Sequence, residues 1–271
     1  MFKKILVIVI AVGIISGGVF MVKKIIGNKP PVTSEGKVIL RGNSSSQARE
    51  LEASGDLLGA RDIYQKLINE SSNSNDISRL EKKVEELNIK LLFSSTLTPG
   101  SILYEIKPGD TLTKIAKLYK TTIDLIMKSN NLANANISPG RKVKVWNTAF
   151  SITVVKSQNR LMLKANEEVF KTYIVSTGSN NSTPIGNFKI INKLMNPTWF
   201  KAGAVVPAQS PENILGTRWL GIDVPSYGIH GTTMPGDLGK QVTAGCVRMA
   251  NADVEELYTI VPVGTEVTIV D

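Results

Sequence analysis

The sequence of 271 residues contains a single cysteine, a single histidine and few aromatic residues. One cysteine excludes an intramolecular disulfide, so the thiol stays free to react. One cysteine and one histidine are also too few for a zinc site of the usual Cys/His type. The sequence therefore predicts no metal centre and no cofactor, and it directs attention to His230 and Cys246 as a reactive pair.

Arginine-rich runs interleaved with aromatic residues are also lacking, although the chain is basic, with a net charge of +9 and a pI near 9.5. Such a charge favours anionic partners. Because the positive charge is spread along the chain, nucleic acid is the least favoured of them. Anionic lipid and an acidic polymer outside the cell remain.

An apolar run at residues 5–22, with lysines on both sides, is the longest in the chain. Its length lies at the lower limit for a membrane-spanning helix, and we predict a membrane anchor over residues 1–28. A cleaved signal peptide is the main alternative, although no clear A-x-A cleavage site follows. No cysteine follows the run, which excludes a lipoprotein anchor. Lysines on both sides leave the orientation undetermined by charge.

Residues 29–46 are predicted to form a linker and residues 47–95 a helical spacer. Two helices broken at Ser54-Gly55-Asp56 resemble one tetratricopeptide-type repeat, but only one copy is present. A third helix is expected over residues 77–92, and its apolar face carries Leu80, Val84, Leu87 and Leu91. Whether the spacer binds a protein partner stays open.

Residues 101–147 show a strand–helix–helix–strand pattern, in which Asp110 is the predicted N-cap of the first helix. The segment begins with Pro108-Gly109-Asp110-Thr111-Leu112 and has Ser138-Pro139-Gly140 near its end. It resembles the lysin motif (LysM), a βααβ domain. The resemblance implies binding to the N-acetylglucosamine-containing glycan of peptidoglycan. The implied contact residues are Gly109, Asp110, Thr111, Leu112, Asn131 and Ile137, although the same residues could simply form turns.

Residues 150–271 contain alternating apolar and polar residues that are typical of β-strands. Strands are expected over residues 151–156, 160–165, 169–176, 187–194, 219–224 and 265–270. The irregular stretch 195–217 could cover a site as a lid. A helix over residues 252–260 is expected to have Asn251 as its N-cap.

His230 and Cys246 are each flanked by glycine, and a turn-rich segment separates them. An imidazole that takes the thiol proton activates a cysteine as a nucleophile. Gly245 lets the backbone approach a bound carbonyl, and N–H groups around the Gly-Cys turn could form an oxyanion hole. The alternative is that Cys246 is a small buried hydrophobic residue and His230 an ordinary loop residue.

Thr183-Pro184-Ile185-Gly186, His230-Gly231 and Gly245-Cys246-Val247-Arg248-Met249 before a helix resemble the catalytic domain of L,D-transpeptidases. The resemblance implies that Cys246 is the nucleophile, His230 its base, and Gly231 the residue whose carbonyl orients the imidazole. Arg248 would fix the site or a substrate carboxylate, or would form a structural ion pair. Many members carry a second histidine where this chain has Ala244, so any role of that imidazole must be absent. The family is susceptible to carbapenems.

The implied reaction is acyl transfer from a tetrapeptide stem of peptidoglycan to an amine of a neighbouring stem, with release of D-alanine and formation of a 3→3 cross-link. Alternatives are an L,D-carboxypeptidase, in which water accepts the acyl group, and a non-catalytic wall-binding tether. A sortase is disfavoured because its histidine and cysteine are much further apart.

The predicted fold class is a multidomain α+β protein. It has an N-terminal membrane helix, a small helical spacer, a LysM domain over residues 101–147, and a mostly-β catalytic domain over residues 150–271. The expected location is the bacterial cell membrane, with one span and with the C-terminal domains outside the cytoplasm.

Overall fold

The computed structural model describes residues 34–201 and 203–271. The predicted membrane helix at residues 5–22 lies outside this range. Within the described residues, no helix has both the length and the apolar character needed to cross a membrane. Residues 40–271 pack as one compact unit.

Three helices come first: α1 (Ser34–Ser54), α2 (Leu57–Glu70) and α3 (Ser74–Leu92). Gly55, with a φ of +88°, makes the break between α1 and α2, because glycine adopts this conformation without steric cost. Asp56 then caps α2 by accepting the Gly59 N–H at 3.0 Å. The three helices share a small core formed by Ala48, Ala60, Tyr64, Leu67, Leu80, Val84 and Leu87.

The segment predicted as a linker over residues 29–46 is helical from Ser34 onward. Serines favour caps and turns over helix interiors, and this preference motivated the linker prediction. However, no proline interrupts residues 34–54, and the fully buried Ala48 packs α1 against the other two helices. Tertiary packing thus outweighs weak local helix propensity here.

The next part is a βααβ unit, as the LysM resemblance implied. It consists of β1 (Ser101–Glu105), α4 (Leu112–Leu118), α5 (Ile123–Ser129) and β2 (Lys142–Trp146). β1 and β2 are antiparallel, with Ser101 opposite Trp146 and Glu105 opposite Lys142.

Asp110 is not the N-cap of α4. Thr111 holds that position, and its hydroxyl accepts the Lys114 N–H at 3.2 Å. The Asp110 carboxylate instead accepts the Lys107 N–H and the Tyr104 hydroxyl, both at 2.8 Å. Asp110 therefore closes the turn after β1 rather than starting the helix.

The C-terminal part is a nine-stranded sheet with one helix. Its strands are β3 (Phe150–Val155), β4 (Arg160–Ala165), β5 (Glu168–Gly178), β6 (Gly186–Met195), β9 (Arg218–Ile222), β10 (Gly228–His230), β11 (Gln241–Thr243), β12 (Val247–Met249) and β13 (Glu266–Val270). The order is β11-β5-β12-β10-β9-β6-β13-β3-β4, and β4 also pairs with β5. This last pairing closes eight strands into a ring, with β11 added beside β5.

Alternation along the strands places one apolar face inside the ring. In β3, for example, Phe150, Ile152 and Val154 are buried. The helix α6 (Asn251–Ile260) contributes Val254, Leu257 and Ile260 to the same core.

The stretch 195–217, predicted to be irregular, contains a short hairpin of β7 (Trp199–Lys201) and β8 (Ala204–Val206). The buried Asn213 side chain donates to the Pro197 carbonyl at 2.9 Å and to the Pro207 carbonyl at 3.1 Å. These long-range bonds anchor the base of the hairpin, which is why local sequence did not reveal it.

Candidate active site

Two adjacent parallel strands carry the residues that the sequence singled out. In the β10–β12 pairing, His230 lies opposite Arg248 and Ile229 lies opposite Val247. Because successive side chains point to opposite faces of a strand, His230 and Arg248 share one face, while Ile229 and Val247 enter the core. Cys246 directly precedes β12, and the charge of Arg248 in that strand acts on the pKa of both the Cys246 thiol and the His230 imidazole.

The imidazole of His230 is buried and held in one orientation. Its Nδ1 lies 2.7 Å from the carbonyl oxygen of Gly231. Since a carbonyl can only accept, Nδ1 carries the proton and Nε2 is left as the acceptor in the neutral ring. The ring also stacks on Trp219 of β9, with centroids 6.0 Å apart. In this tautomer Nε2 is the ring nitrogen that can accept a proton.

Burial lowers the pKa of His230 from 6.5 to about 4. The positive charge of Arg248 lowers this pKa further, whereas the Gly231 and Leu215 carbonyls raise it. Desolvation outweighs the carbonyl contacts because the ring is almost fully enclosed. At neutral pH the imidazole is therefore uncharged and can act as a base.

The thiol of Cys246 is half-buried and hydrogen-bonded to the backbone. Its Sγ donates to the carbonyl oxygen of Ser226 at 3.5 Å. Burial raises the pKa of the Cys246 thiol, while a Gly228 backbone hydrogen bond and the Arg248 charge lower it. At neutral pH Cys246 and His230 are therefore both uncharged.

Gly245 is required at its position by backbone geometry and by packing. Its φ is +133°, and a Cβ added there would lie 2.6 Å from Cε1 of Tyr227. The Gly245 N–H donates to the hydroxyl of Thr243 at 3.1 Å, and that hydroxyl donates to the Cys246 carbonyl at 2.6 Å. The Gly245 N–H is therefore engaged and does not serve the expected oxyanion hole in this conformation.

Arg248 is buried beside both reacting groups. Its Nη1 lies 3.9 Å from Oδ2 of Asp237, and Nε has no hydrogen-bond partner among the described residues. The ion pair with Asp237 is long, and the Arg248 side chain is only 5% exposed. Its charge lowers the pKa of both His230 and Cys246, and it would stabilise a thiolate.

Asn251 has a role that the sequence did not reveal. It was predicted as the N-cap of α6, but Ala250 holds that position. The Asn251 Oδ1 accepts the backbone N–H groups of Thr217 at 3.2 Å and of Thr232 at 3.0 Å. A Cβ added to Gly231 would lie 2.2 Å from this same oxygen. Asn251 thereby positions the segment whose Gly231 carbonyl orients His230.

Replacing Asn251 by Ala should lower kcat by about tenfold or more, because it frees the segment that orients the imidazole. It also leaves two backbone donors unpaired, which should cost about 2 kcal/mol of unfolding free energy. As the matched control, Asn251→Asp keeps an acceptor oxygen and should show a smaller loss of kcat and of unfolding free energy. Since His230 is the only histidine, the ring signals in an NMR spectrum report its orientation directly. Unchanged ring signals in Asn251→Ala would contradict the positioning role.

Acid should destabilise the folded protein through His230. The pKa of the His230 imidazole is 6.5 in the unfolded chain and about 4 in the folded protein. Between these two pH values the unfolded chain binds the proton and the folded protein does not. Stability is therefore fully retained above about pH 6.5 and is lost as pH falls towards 4, by at most about 3 kcal/mol. Urea unfolding near pH 7 and near pH 4.5 measures this loss. His230→Gln should lose about 2–3 kcal/mol less between the two conditions; equal losses in both proteins would contradict the depressed pKa.

The proposed glycan-contacting residues of the LysM domain differ in exposure. Gly109, Thr111 and Asn131 are exposed and Asp110 is partly exposed. Leu112 is buried and Ile137 is half-buried, and both pack in the LysM core. The Leu112 side chain therefore supports the fold, and only its backbone could contact a sugar in this conformation.

The residues that surround His230 and Cys246 and support their positions were not apparent from the sequence. Trp219, Thr243, Ser226 and Asn251 lie in strands, turns and a helix whose contacts form only after folding. Of these four residues, only Asn251 was singled out in the sequence, where it was predicted as the N-cap of the last helix.

Comparison with known proteins identifies two domains. Residues 149–269 match the L,D-transpeptidase catalytic domain named YkuD, and residues 104–146 match the LysM domain. Bacillus subtilis (strain 168) YkuD is 34% identical over 175 residues, which cover 62% of this chain and 98% of that protein. YqjB of the same organism is 39% identical over 126 residues, or 44% of this chain and 70% of that protein. The names of both relatives assign them to the L,D-transpeptidases.

Among solved structures, an L,D-transpeptidase from Mycobacterium tuberculosis H37Rv is similar, with a TM-score of 0.40 and 17% identity over 49% of this chain and 64% of that chain. The sequence matches to the two Bacillus proteins and to both domain models are decisive: this chain belongs to the YkuD L,D-transpeptidase family and carries a LysM domain ahead of its catalytic domain.

Proposed function

We propose that this protein is a cysteine-dependent peptidoglycan L,D-transpeptidase that forms 3→3 cross-links. The observation that supports this most is that β10, which ends at His230, lies beside β12, which Cys246 directly precedes, while the Gly231 carbonyl holds Nδ1 of His230. A nucleophile beside an oriented neutral base is the arrangement that acyl transfer requires.

In the first half-reaction, Sγ of Cys246 attacks the carbonyl of the third residue of a tetrapeptide stem while His230 accepts the thiol proton. The amide C–N bond breaks, His230 returns the proton to the leaving amine, and D-alanine departs. A thioester remains on Cys246. The Arg248 charge stabilises negative charge that develops on the sulfur as the thiol proton leaves during attack.

In the second half-reaction, an amine of a neighbouring stem attacks the thioester. A new amide bond forms, the C–S bond breaks, and the amine proton passes through His230 to the sulfur, which restores the thiol. No cofactor is consumed, because the energy of the broken amide is conserved in the thioester.

We propose that residues 5–22 anchor the protein in the cell membrane, with residues 34–271 outside the cytoplasm, where peptidoglycan lies. The LysM surface around Gly109 and Asn131 would then hold a glycan strand. The net charge of +9 suits the anionic polymers and lipids of the cell envelope.

Analysis of the muropeptides that form when the full-length protein is incubated with tetrapeptide-rich peptidoglycan tests this function. We expect 3→3 cross-linked dimers and free D-alanine. If D-alanine is released but only tripeptide monomers form, with added acceptor peptide as well as without it, the protein is an L,D-carboxypeptidase. If the peptidoglycan is bound but unchanged, the protein is a wall-binding tether.

A further inference from the structure

One hydrophobic core crosses all three parts that the sequence divides. Ile89 and Leu92 of α3 and Leu125 of α5 pack in the same buried cluster as the catalytic sheet. Trp146 at the end of β2 belongs to it as well. The helical spacer and the LysM domain each also have a small core of their own, so the shared cluster is an apolar junction added to those cores. Here the spacer, the LysM domain and the catalytic domain bury apolar side chains against one another.

The link between the LysM and catalytic domains is short and immobilised. Three residues, 147–149, separate β2 from β3. Across this link Trp146 stacks on Phe150, with ring centroids 5.2 Å apart and planes 9° from parallel. Phe170 of β5 packs edge-on against both rings. On the other side of the LysM domain, the Thr122 hydroxyl donates to the carbonyl of Thr259 in α6.

A buried lysine joins the LysM domain to the spacer. Nζ of Lys144 in β2 donates to the carbonyl oxygens of Leu91 at 2.6 Å and Ser94 at 2.9 Å. Burial lowers the pKa of Lys144 to about 8. A buried ammonium that two backbone carbonyls satisfy holds its surroundings in one arrangement, because any displacement would leave the charge unpaired.

The spacer is in turn attached to the catalytic sheet. The Asn88 side chain of α3 donates to the Phe170 carbonyl at 3.1 Å. The Thr172 hydroxyl donates to the Glu85 carboxylate at 2.7 Å. The spacer therefore braces the junction from a third direction, and each part contacts the other two.

From these contacts we infer that residues 44–271 act as one rigid body, in which the glycan-holding LysM surface stands at a fixed distance and orientation from Cys246. Resting on the proposed function, this inference narrows the substrate class. The preferred donor is a stem peptide of polymeric peptidoglycan whose glycan strand is held by the LysM domain at the same time. Stem peptides whose glycan strand cannot contact the LysM surface while the stem reaches Cys246 should react no faster than soluble muropeptides.

A flexible tether would act differently. It raises the local concentration of many stems around the site, whereas a rigid arrangement favours the few with matching geometry and excludes the others. The two cases can therefore be separated by distance measurements and by the choice of substrate.

The rigid arrangement can be tested without any activity. In a Cys246→Ala background, one spin label is attached at Lys117→Cys in the LysM domain and one at Gln158→Cys in the catalytic domain. Both positions are exposed, and the distance between the labels reports how the two domains are arranged. We expect a single narrow distance distribution in the full-length protein. A broad distribution would overturn the inference, whatever reaction the protein catalyses.

The effect on substrate choice is tested by loosening the junction. The variant carries a flexible Gly-Ser segment between Thr148 and Ala149 together with Leu125→Ser, which removes the LysM side chain from the shared core. The matched control has the same insertion between Ser71 and Ser72, in the loop between α2 and α3. Rates are measured on soluble tetrapeptide muropeptides and on intact sacculi, and binding is measured on glycan strands free of peptide.

We expect the loosened variant to bind glycan and to turn over soluble muropeptides like the unmodified protein, while its kcat/KM on sacculi falls by about tenfold or more. The control should keep all three properties. Unchanged or increased activity of the loosened variant on sacculi would overturn the inference. If the unmodified protein acts on neither substrate, the proposed function fails, and the distance distribution still decides whether the body is rigid.

Discussion

Replacement of Cys246 by Ala should abolish acyl transfer, with a loss of at least about a thousandfold in kcat. Cys246 is the only thiol in the chain, so no neighbouring cysteine can take its place. Alanine is smaller than cysteine, and the substitution leaves Gly245, whose φ is +133°, unchanged. The fold should therefore survive the substitution.

The measurement is dimer formation and D-alanine release from purified tetrapeptide muropeptides. In parallel, intact-mass analysis after exposure to a carbapenem should find one adduct on the unmodified protein and none on Cys246→Ala. Thermal unfolding serves as the folding control. Retained dimer formation by the variant would refute the assignment of the nucleophile, and an adduct on another residue would refute the assignment of the reactive site.

Replacement of His230 by Gln should lower the rate of acylation by about 10²- to 10⁴-fold near pH 7. Glutamine can still donate to the Gly231 carbonyl, but it cannot accept a proton. Because burial raises the pKa of the Cys246 thiol, little thiolate exists without a base. The variant therefore loses the proton acceptor while the surrounding contacts are largely kept.

The pH dependence separates a base from a structural residue. In the unmodified protein the acid limb should fall as pH drops through about 4, where His230 becomes protonated. In His230→Gln the rate should instead rise about tenfold for each pH unit up to the thiol pKa, since only preformed thiolate reacts. Parallel pH profiles in the two proteins would contradict the assignment of His230 as base.

The neutral state of the resting pair has a consequence for activation. A thiol bonded to Ser226 and an uncharged imidazole avoid two unpaired buried charges, which would be costly in this enclosed site. Under the proposed function, the thiolate forms only during attack, when His230 accepts the thiol proton and the Arg248 charge stabilises the sulfur.

The spacing of apolar residues was sufficient to predict a helix or strand where burial of one face determines the element. The apolar face of α3 at Leu80, Val84 and Leu87 is buried as its spacing predicted. The alternation of Phe150, Ile152 and Val154 likewise produced β3. In both cases the period of the side chains matches the period of the element, and burial follows directly.

The same reasoning failed where a side chain accepts groups other than those at the start of the next helix. Asn251 and Asp110 were both predicted as helix caps, because Asn and Asp commonly accept N–H groups at that position. Each accepts other groups instead: Asn251 binds the backbone at Thr217 and Thr232, and Asp110 binds Tyr104 and Lys107. The donors bound by Asn251 lie 34 and 19 residues away and those bound by Asp110 lie six and three residues away, so residue preference alone identified neither set.

By itself, the amino-acid sequence determined the family, the two domains and the unique sulfur and imidazole of the site, because these depend on which residues are present and on their order. Only the tertiary structure decided the tautomer of His230, the hydrogen-bond partner of the Cys246 thiol and the packing of the spacer, the LysM domain and the catalytic domain against one another. Those features depend on strands and helices that are distant in the chain, and their pairing is set by packing that no short stretch of sequence contains.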